Sequence, residues 1–263
     1  MTMNESAIAL MKQKRWGQLI ELASDFAGDI ESSSSSEEKY AKFVLGVLMK
    51  SRKYNIPASV IDSICAIRPA VLFRRDKLGQ APIYAAVASS VSFEVFQVLL
   101  RRCKPHSLVI LQKSLNEILP EDVVERYIYP YAADNVMLDR SPKSGNTVMH
   151  LLITMLGSAL DDGQFDFVRD TKKCISSSLK HFPCLGFMVN KMGASPLHHA
   201  TFYLRPTVLN WSVYARLLRA FPDSLDMKDI EERTPYEIFL DRNADDISSS
   251  CPLIRKYVKI LNP

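Results

Sequence analysis

Gly193-Ala194-Ser195-Pro196-Leu197-His198-His199-Ala200 writes a turn, a cap and a helix start into eight residues. Gly193 suits a tight turn that needs a positive φ. Ser195 is placed to cap a helix whose first turn opens at Pro196, where φ is preset and no amide hydrogen is missed. Ten residues before Gly193 stands Pro183, at the end of an apolar, helix-like run. The same frame occurs three times. Pro69, Pro183 and Pro222 are followed after seven residues by Asp76, Asn190 or Asp229. After ten residues come Gly79, Gly193 or Glu232, and after thirteen Pro82, Pro196 or Pro235. A common frame at three separated places is an internal repeat, and a repeat sets the architecture before any single residue is read. Stacked repeats contact only their neighbours and build long surfaces for partners.

Outside the frame, helical periodicity dominates. Residues 6–26 carry Ile8, Met11, Trp16, Leu19, Ala23 and Phe26 at spacings of one or two amphipathic helices, with a break expected at Gly17. Ser32 to Ser36 form a serine run ending in Glu37 and Glu38, read as a loop before a helix start. Ser34 and Ser35 each precede an acid by three residues, which suits an acid-directed kinase, although a solvated linker is the plainer reading. Tyr40, Phe43, Val44, Val47 and Leu48 make one helix face, and Pro57 opens the next helix. Residues 106–119 and 121–133 read as a helix pair without a turn motif; Gly79 and Gly145 are 66 residues apart, room for two repeats. Gly145 and Gly193 are 48 apart, and the polar stretch 157–166 is read as an enlarged loop that takes up the excess. No stretch alternates strictly enough for a strand, so the expected class is all-α.

Residues 193–200 resemble the Gly-x-Thr-Pro-Leu-His-x-Ala core of an ankyrin repeat, with Ser195 in the threonine place. Gly79-Gln80-Ala81-Pro82-Ile83-Tyr84-Ala85-Ala86 is a weaker copy. Gly145, Thr147 and His150 match at glycine, threonine and histidine, and Thr234-Pro235 keeps the middle of the motif with Glu232 replacing the glycine. The resemblance covers 57–261. It implies an ankyrin-like helical-repeat solenoid of about six helix pairs. Residues 1–31 form an N-terminal helical cap, 32–56 the serine-rich loop and first repeat helix, and 57–263 the repeat array. It further implies that His150 and His198 hydrogen-bond backbone between repeats, and that the turns project as fingers beside a concave groove. The glutamate at 232 predicts a different turn type in the last repeat.

Bulk composition narrows function. The chain has 263 residues, 47% of them hydrophobic, with a net charge of +4. That is mildly basic and lacks the dense clusters typical of nucleic-acid binders. Five cysteines (Cys65, Cys103, Cys174, Cys184 and Cys251) are scattered, with none of the spacings of a metal or redox motif, and read as free thiols in a reducing compartment. Residues 1–10 lack a secretory pattern, and the longest apolar stretch, 148–160, is too short and too polar to span a bilayer. The expectation is an intracellular protein, cytoplasmic or nuclear, with no membrane contact.

No catalytic or phosphate-binding motif is present. His106 and His181 read as loop or surface residues, and the pairs Asp161-Asp162 and Asp245-Asp246 as solvated charges. The expectation is a non-enzyme without cofactor or metal. The turns carry the partner-binding candidates: Phe73, Arg74, Arg75, Lys77 and Leu78; Phe187, Met188, Lys191 and Met192; and Met227, Lys228 and Ile230. An apolar side chain on a projecting turn is a natural anchor for another protein. The functional expectation is a protein-interaction scaffold. Two alternatives stand beside it: a subunit bound to a larger enzyme assembly through its helical face and the 157–166 loop, and a nucleic-acid binder acting through basic fingers.

Overall fold

The computed structural model describes residues 3–28, 34–74, 81–103 and 140–243, and these contain eleven α-helices and no strand. The protein is all-α over these residues. The chain divides into two compact units, Met1–Pro105 and His106–Pro263. The helix pair expected at 106–133 lies outside the described residues.

The N-terminal unit contains α1 (Met3–Lys12), α2 (Trp16–Gly28), α3 (Ser34–Tyr54), α4 (Ala58–Ile67), α5 (Pro82–Ala88) and α6 (Phe93–Arg102). A 3-10 turn, Pro69–Phe73, follows α4. Consecutive helices pair as α1 with α2, α3 with α4 and α5 with α6. The pairs stack in two layers, α1-α3-α5 and α2-α4-α6. Tyr40 and Phe43 of α3 are almost wholly buried and meet Phe26 of α2 at ring distances of 6.1 and 6.4 Å. The Tyr40 hydroxyl donates to the Ile64 carbonyl at 3.0 Å, which satisfies its polar end inside the core. Arg102 of α6 pairs with Asp62 of α4 at 2.5 Å and ties neighbouring pairs together at the surface.

Two boundaries differ from the sequence expectation. The break between α1 and α2 falls at Gln13–Arg15, where Lys14 takes a φ of 55°, while Gly17 lies inside α2. Helix α3 begins within the serine run, at Ser34, so the loop is shorter than the composition implies.

The C-terminal unit contains α7 (Val148–Asp161), α8 (Phe165–His181), α9 (Pro196–Tyr203), α10 (Val208–Ala220) and α11 (Pro235–Arg242). Helices α7, α9 and α11 neighbour one another in one layer, and α8 and α10 form the second. Short 3-10 turns, Pro183–Gly186 and Pro222–Leu225, follow α8 and α10. Each of those prolines closes a helix, and Pro196 and Pro235 occupy the first turn of the next, as the frame requires. Pro82 does the same for α5.

The enlarged loop expected at 157–166 is absent. Helix α7 runs through Gly157 to Asp161, α8 starts at Phe165, and only residues 162–164 connect them. The extra length lies in the helices: α7 has 14 residues where α9 has 8, and α8 has 17 where α10 has 13. Gly157 is buried because α7 and α9 cross there; a Cβ at this position would lie 2.7 Å from the Tyr203 carbonyl oxygen. The glycine that reads as a loop residue is a contact residue. Helix α10 opens at Val208, and residues 204–207 separate it from the end of α9 at Tyr203.

Candidate interaction surface

The C-terminal unit has turns at residues 140–147, 187–195 and 226–234; the last two join its layers and are built alike. The Asn190 side-chain oxygen accepts from the amides of Met192 (2.8 Å) and Ala194 (3.1 Å). The Asp229 carboxylate accepts from Glu231 (2.9 Å) and Arg233 (3.0 Å) in the same pattern. The backbone closes identically, Asn190 N–H to Ala194 O at 3.0 Å and Asp229 N–H to Arg233 O at 2.9 Å. A short side chain ending in an sp² oxygen is what this turn requires, which explains Asn or Asp at that place in the frame. The spacing is plain in the sequence; the role needs the geometry.

Glu232 corrects the expected change of turn. Its φ of 59° falls in the same left-handed region as Gly193 at 67° and Gly145 at 72°. The bonds from Asp229 on both sides hold the glutamate in a conformation that glycine adopts without cost.

Neighbouring turns are stitched together. Lys191 N–H donates to Ser144 O at 3.0 Å, and Ile230 N–H donates to Met192 O at 2.9 Å. Beneath them run the histidines. The Thr147 amide donates to His150 Nδ1 at 3.2 Å, so Nε2 carries the proton and donates to Ala194 O at 2.9 Å. His198 repeats this, accepting from the Ser195 amide at 3.1 Å and donating from Nε2 to Arg233 O at 3.1 Å. In the last helix Glu237 stands in the histidine place, and its carboxylate accepts from the Thr234 amide (2.7 Å) and hydroxyl (2.9 Å). Those bonds hold its pKa below the usual carboxylate value.

The imidazoles are buried and neutral. Burial lowers the pKa of His150 to about 3 and that of His199 to about 4, and it lowers His198 as well. His199, adjacent to His198, is also inside: it meets His150 edge-on at 4.7 Å and lies 3.3 Å from the Asn190 amide nitrogen through Nε2. No group of three metal-binding side chains converges among the described residues. His181 is exposed at the end of α8, and four cysteines, 65, 103, 174 and 184, are buried and form no disulfide.

The partner-binding candidates divide. Phe187 and Met188 are core residues, 0% and 2% exposed, and Phe187 stacks on Phe221 with centroids 4.9 Å apart. The 3-10 turn before them carries the chain under α10, and full burial of such a ring is worth about 2–3 kcal/mol, so they face inward. Phe73, Arg74 and Met227 are half-buried. Lys191 and Lys228 are exposed; the Lys191 ammonium donates to Pro142 O, and Lys228 pairs with Glu232 at 3.4 Å. Met192 and Ile230 stand out on adjacent turns, 50% and 59% exposed. Arg75, Lys77, Leu78 and Gly79 lie outside the described residues, as do His106, Cys251, Asp245 and Asp246. Sequence reading passed over Phe202 and Tyr203, 42% and 40% exposed at the end of α9, where Arg242 sits 4.5 Å above the Phe202 ring. Beside them is a cleft of about 400 Å³ lined by Thr201, Leu204, Arg205, Asp241 and Asn243.

No family model and no curated protein matches the chain. Among solved structures 59 chains match. One belongs to the complex of the predatory endopeptidase Bd0816 of Bdellovibrio bacteriovorus with the immunity protein Bd3460. It is 13% identical, with a TM-score of 0.35, and the match covers 86% of this chain and 99% of that one. No helix among the described residues is long and apolar enough to cross a membrane.

Proposed function

We propose that the chain is a protein-interaction module of the ankyrin-repeat type, a solenoid of helix pairs that holds a partner on its finger turns and forms or breaks no bond. The carrying observation is that Met192 and Ile230, both exposed, stand on adjacent turns whose backbones are hydrogen-bonded to each other. Apolar side chains held out on rigid backbone lose little freedom when a partner covers them, and such anchors dominate interface energetics. The histidine bonds between successive turns support the ankyrin reading, because motif and bonding recur together at 150 and 198. Assembly through an enlarged 157–166 loop loses its basis, since those residues are mostly helical. A nucleic-acid role gains nothing from the last finger, where Glu231 and Glu232 stand beside Arg233 and Lys228.

The test is affinity capture from the native cell with the wild-type chain and with Met192→Asp/Ile230→Asp, checking by circular dichroism that both keep the same helicity and melting profile. A specific protein retained by the wild type and lost with the double variant is the expected result. Equal retention by both proteins removes the fingers from the function.

A further inference from the structure

The partner's chemistry can be read from the charges around Met192 and Ile230, on the premise that the fingers are the docking face. Residues 140–147 and 187–195 contain Arg140, Lys143 and Lys191 and no aspartate or glutamate. Lys143 and Lys191 hold the same place 48 residues apart, are both exposed, and make no ion pair among the described residues. The bond from the Lys191 ammonium to Pro142 O positions that charge without cancelling it. The third finger is different. Asp229 and Glu231 share Arg233 at 3.1 and 2.8 Å, Glu232 meets Lys228 at 3.4 Å, and Asp226 is exposed, so this finger is net acidic. Among the described residues positive charge is therefore concentrated on the first two fingers, with Lys191 next to Met192, while Ile230 stands on the acidic third finger. Like charge repels basic ligands from such a patch, and a purely apolar ligand leaves the lysines unanswered.

We infer that the finger row binds an acidic peptide segment anchored by an apolar side chain, with carboxylates facing Lys143 and Lys191 and the anchor on Met192 and Ile230. The lysines steer and orient; the apolar pair holds.

A displayed library of random peptides of about twelve residues, panned against the full-length protein, tests this directly. The expected winners carry an excess of Asp and Glu flanking a large apolar residue. Their binding weakens with added salt. It falls about tenfold or more in Lys143→Glu/Lys191→Glu and is lost in Met192→Asp/Ile230→Asp. Winners without an acidic excess that bind the charge-reversed variant as well as the wild type overturn the acidic assignment; if they are still lost with the apolar pair, finger docking itself stands. Winners indifferent to both pairs sink this inference and the docking face together. Displacement of the winners by a random single-stranded DNA oligonucleotide reassigns the patch to nucleic acid and overturns it as well.

Discussion

Glu232 adopts a left-handed backbone because its neighbours require it. Asp229 accepts from the amides of 231 and 233, and closing both bonds leaves the intervening residue at φ 59°. A non-glycine residue there costs on the order of 1 kcal/mol. The Lys228–Glu232 ion pair offsets little of this, since both side chains are well exposed. Glu232→Gly should therefore raise the stability of the C-terminal unit by up to about 1 kcal/mol, reduced by the greater freedom of glycine in the unfolded chain. Glu232→Ala separates the two effects, since it removes the ion pair and keeps the strain. A denaturation midpoint for the glycine variant below that of the alanine variant contradicts the strain argument. Glu237 shows the same economy with a different residue: a carboxylate takes the bonds that Nδ1 of a histidine takes one turn earlier.

At the scale of helices, Gly157 sets how closely α7 and α9 approach. In an isolated helix, alanine is favoured over glycine by about 1 kcal/mol. Here a methyl group would meet the Tyr203 carbonyl oxygen at 2.7 Å, a backbone atom that moves only with its helix. Gly157→Ala is thus expected to destabilise the fold by about 1–3 kcal/mol despite its better propensity. A stability gain on chemical denaturation disproves the close approach. The same residue shows where sequence reading stopped. The proline frame placed the starts of α5, α9 and α11 and the ends of α4, α8 and α10, because proline acts through local geometry that needs no partner. Gly157 followed by polar residues has the composition of a loop, and only the neighbouring helix makes it a contact. Phe187 and Met188 sit within the turn segment, yet which way they face depends on α10 lying above them. Met192 and Ile230 were legible because nothing packs over a tip.

On the scale of the molecule, histidine is unevenly distributed. All five lie at 106 or beyond, so the N-terminal unit, Met1–Pro105, has none. His150, His198 and His199 have folded-state pKa values lowered by burial. Below about pH 6.5 the unfolded chain takes up protons that the folded chain refuses, so their contribution is complete above that pH and is lost as pH falls towards about 4 and then 3. Each costs up to about 1.4 kcal/mol per pH unit in that window. Between pH 7 and 5 this loss falls on the C-terminal unit. Each unit holds one of the two tryptophans, Trp16 in α2 and Trp211 in α10, so Trp16→Phe and Trp211→Phe report the units separately. The urea midpoint read from Trp211 should drop over that range; a midpoint that does not change with pH contradicts neutral burial of the three rings. The imidazole bonds also share a direction. His150 donates to residue 194 and His198 to residue 233, always towards the C-terminus. The backbone bonds between turns run the other way, from Lys191 to Ser144 and from Ile230 to Met192, so a cut at either end strands a donor. Cutting before 226 removes the backbone partners of His198, Arg233 and Met227, together. Cutting away 140–161 takes Ser144 O from the Lys191 N–H, while the Ala194 carbonyl keeps the Asn190 amide.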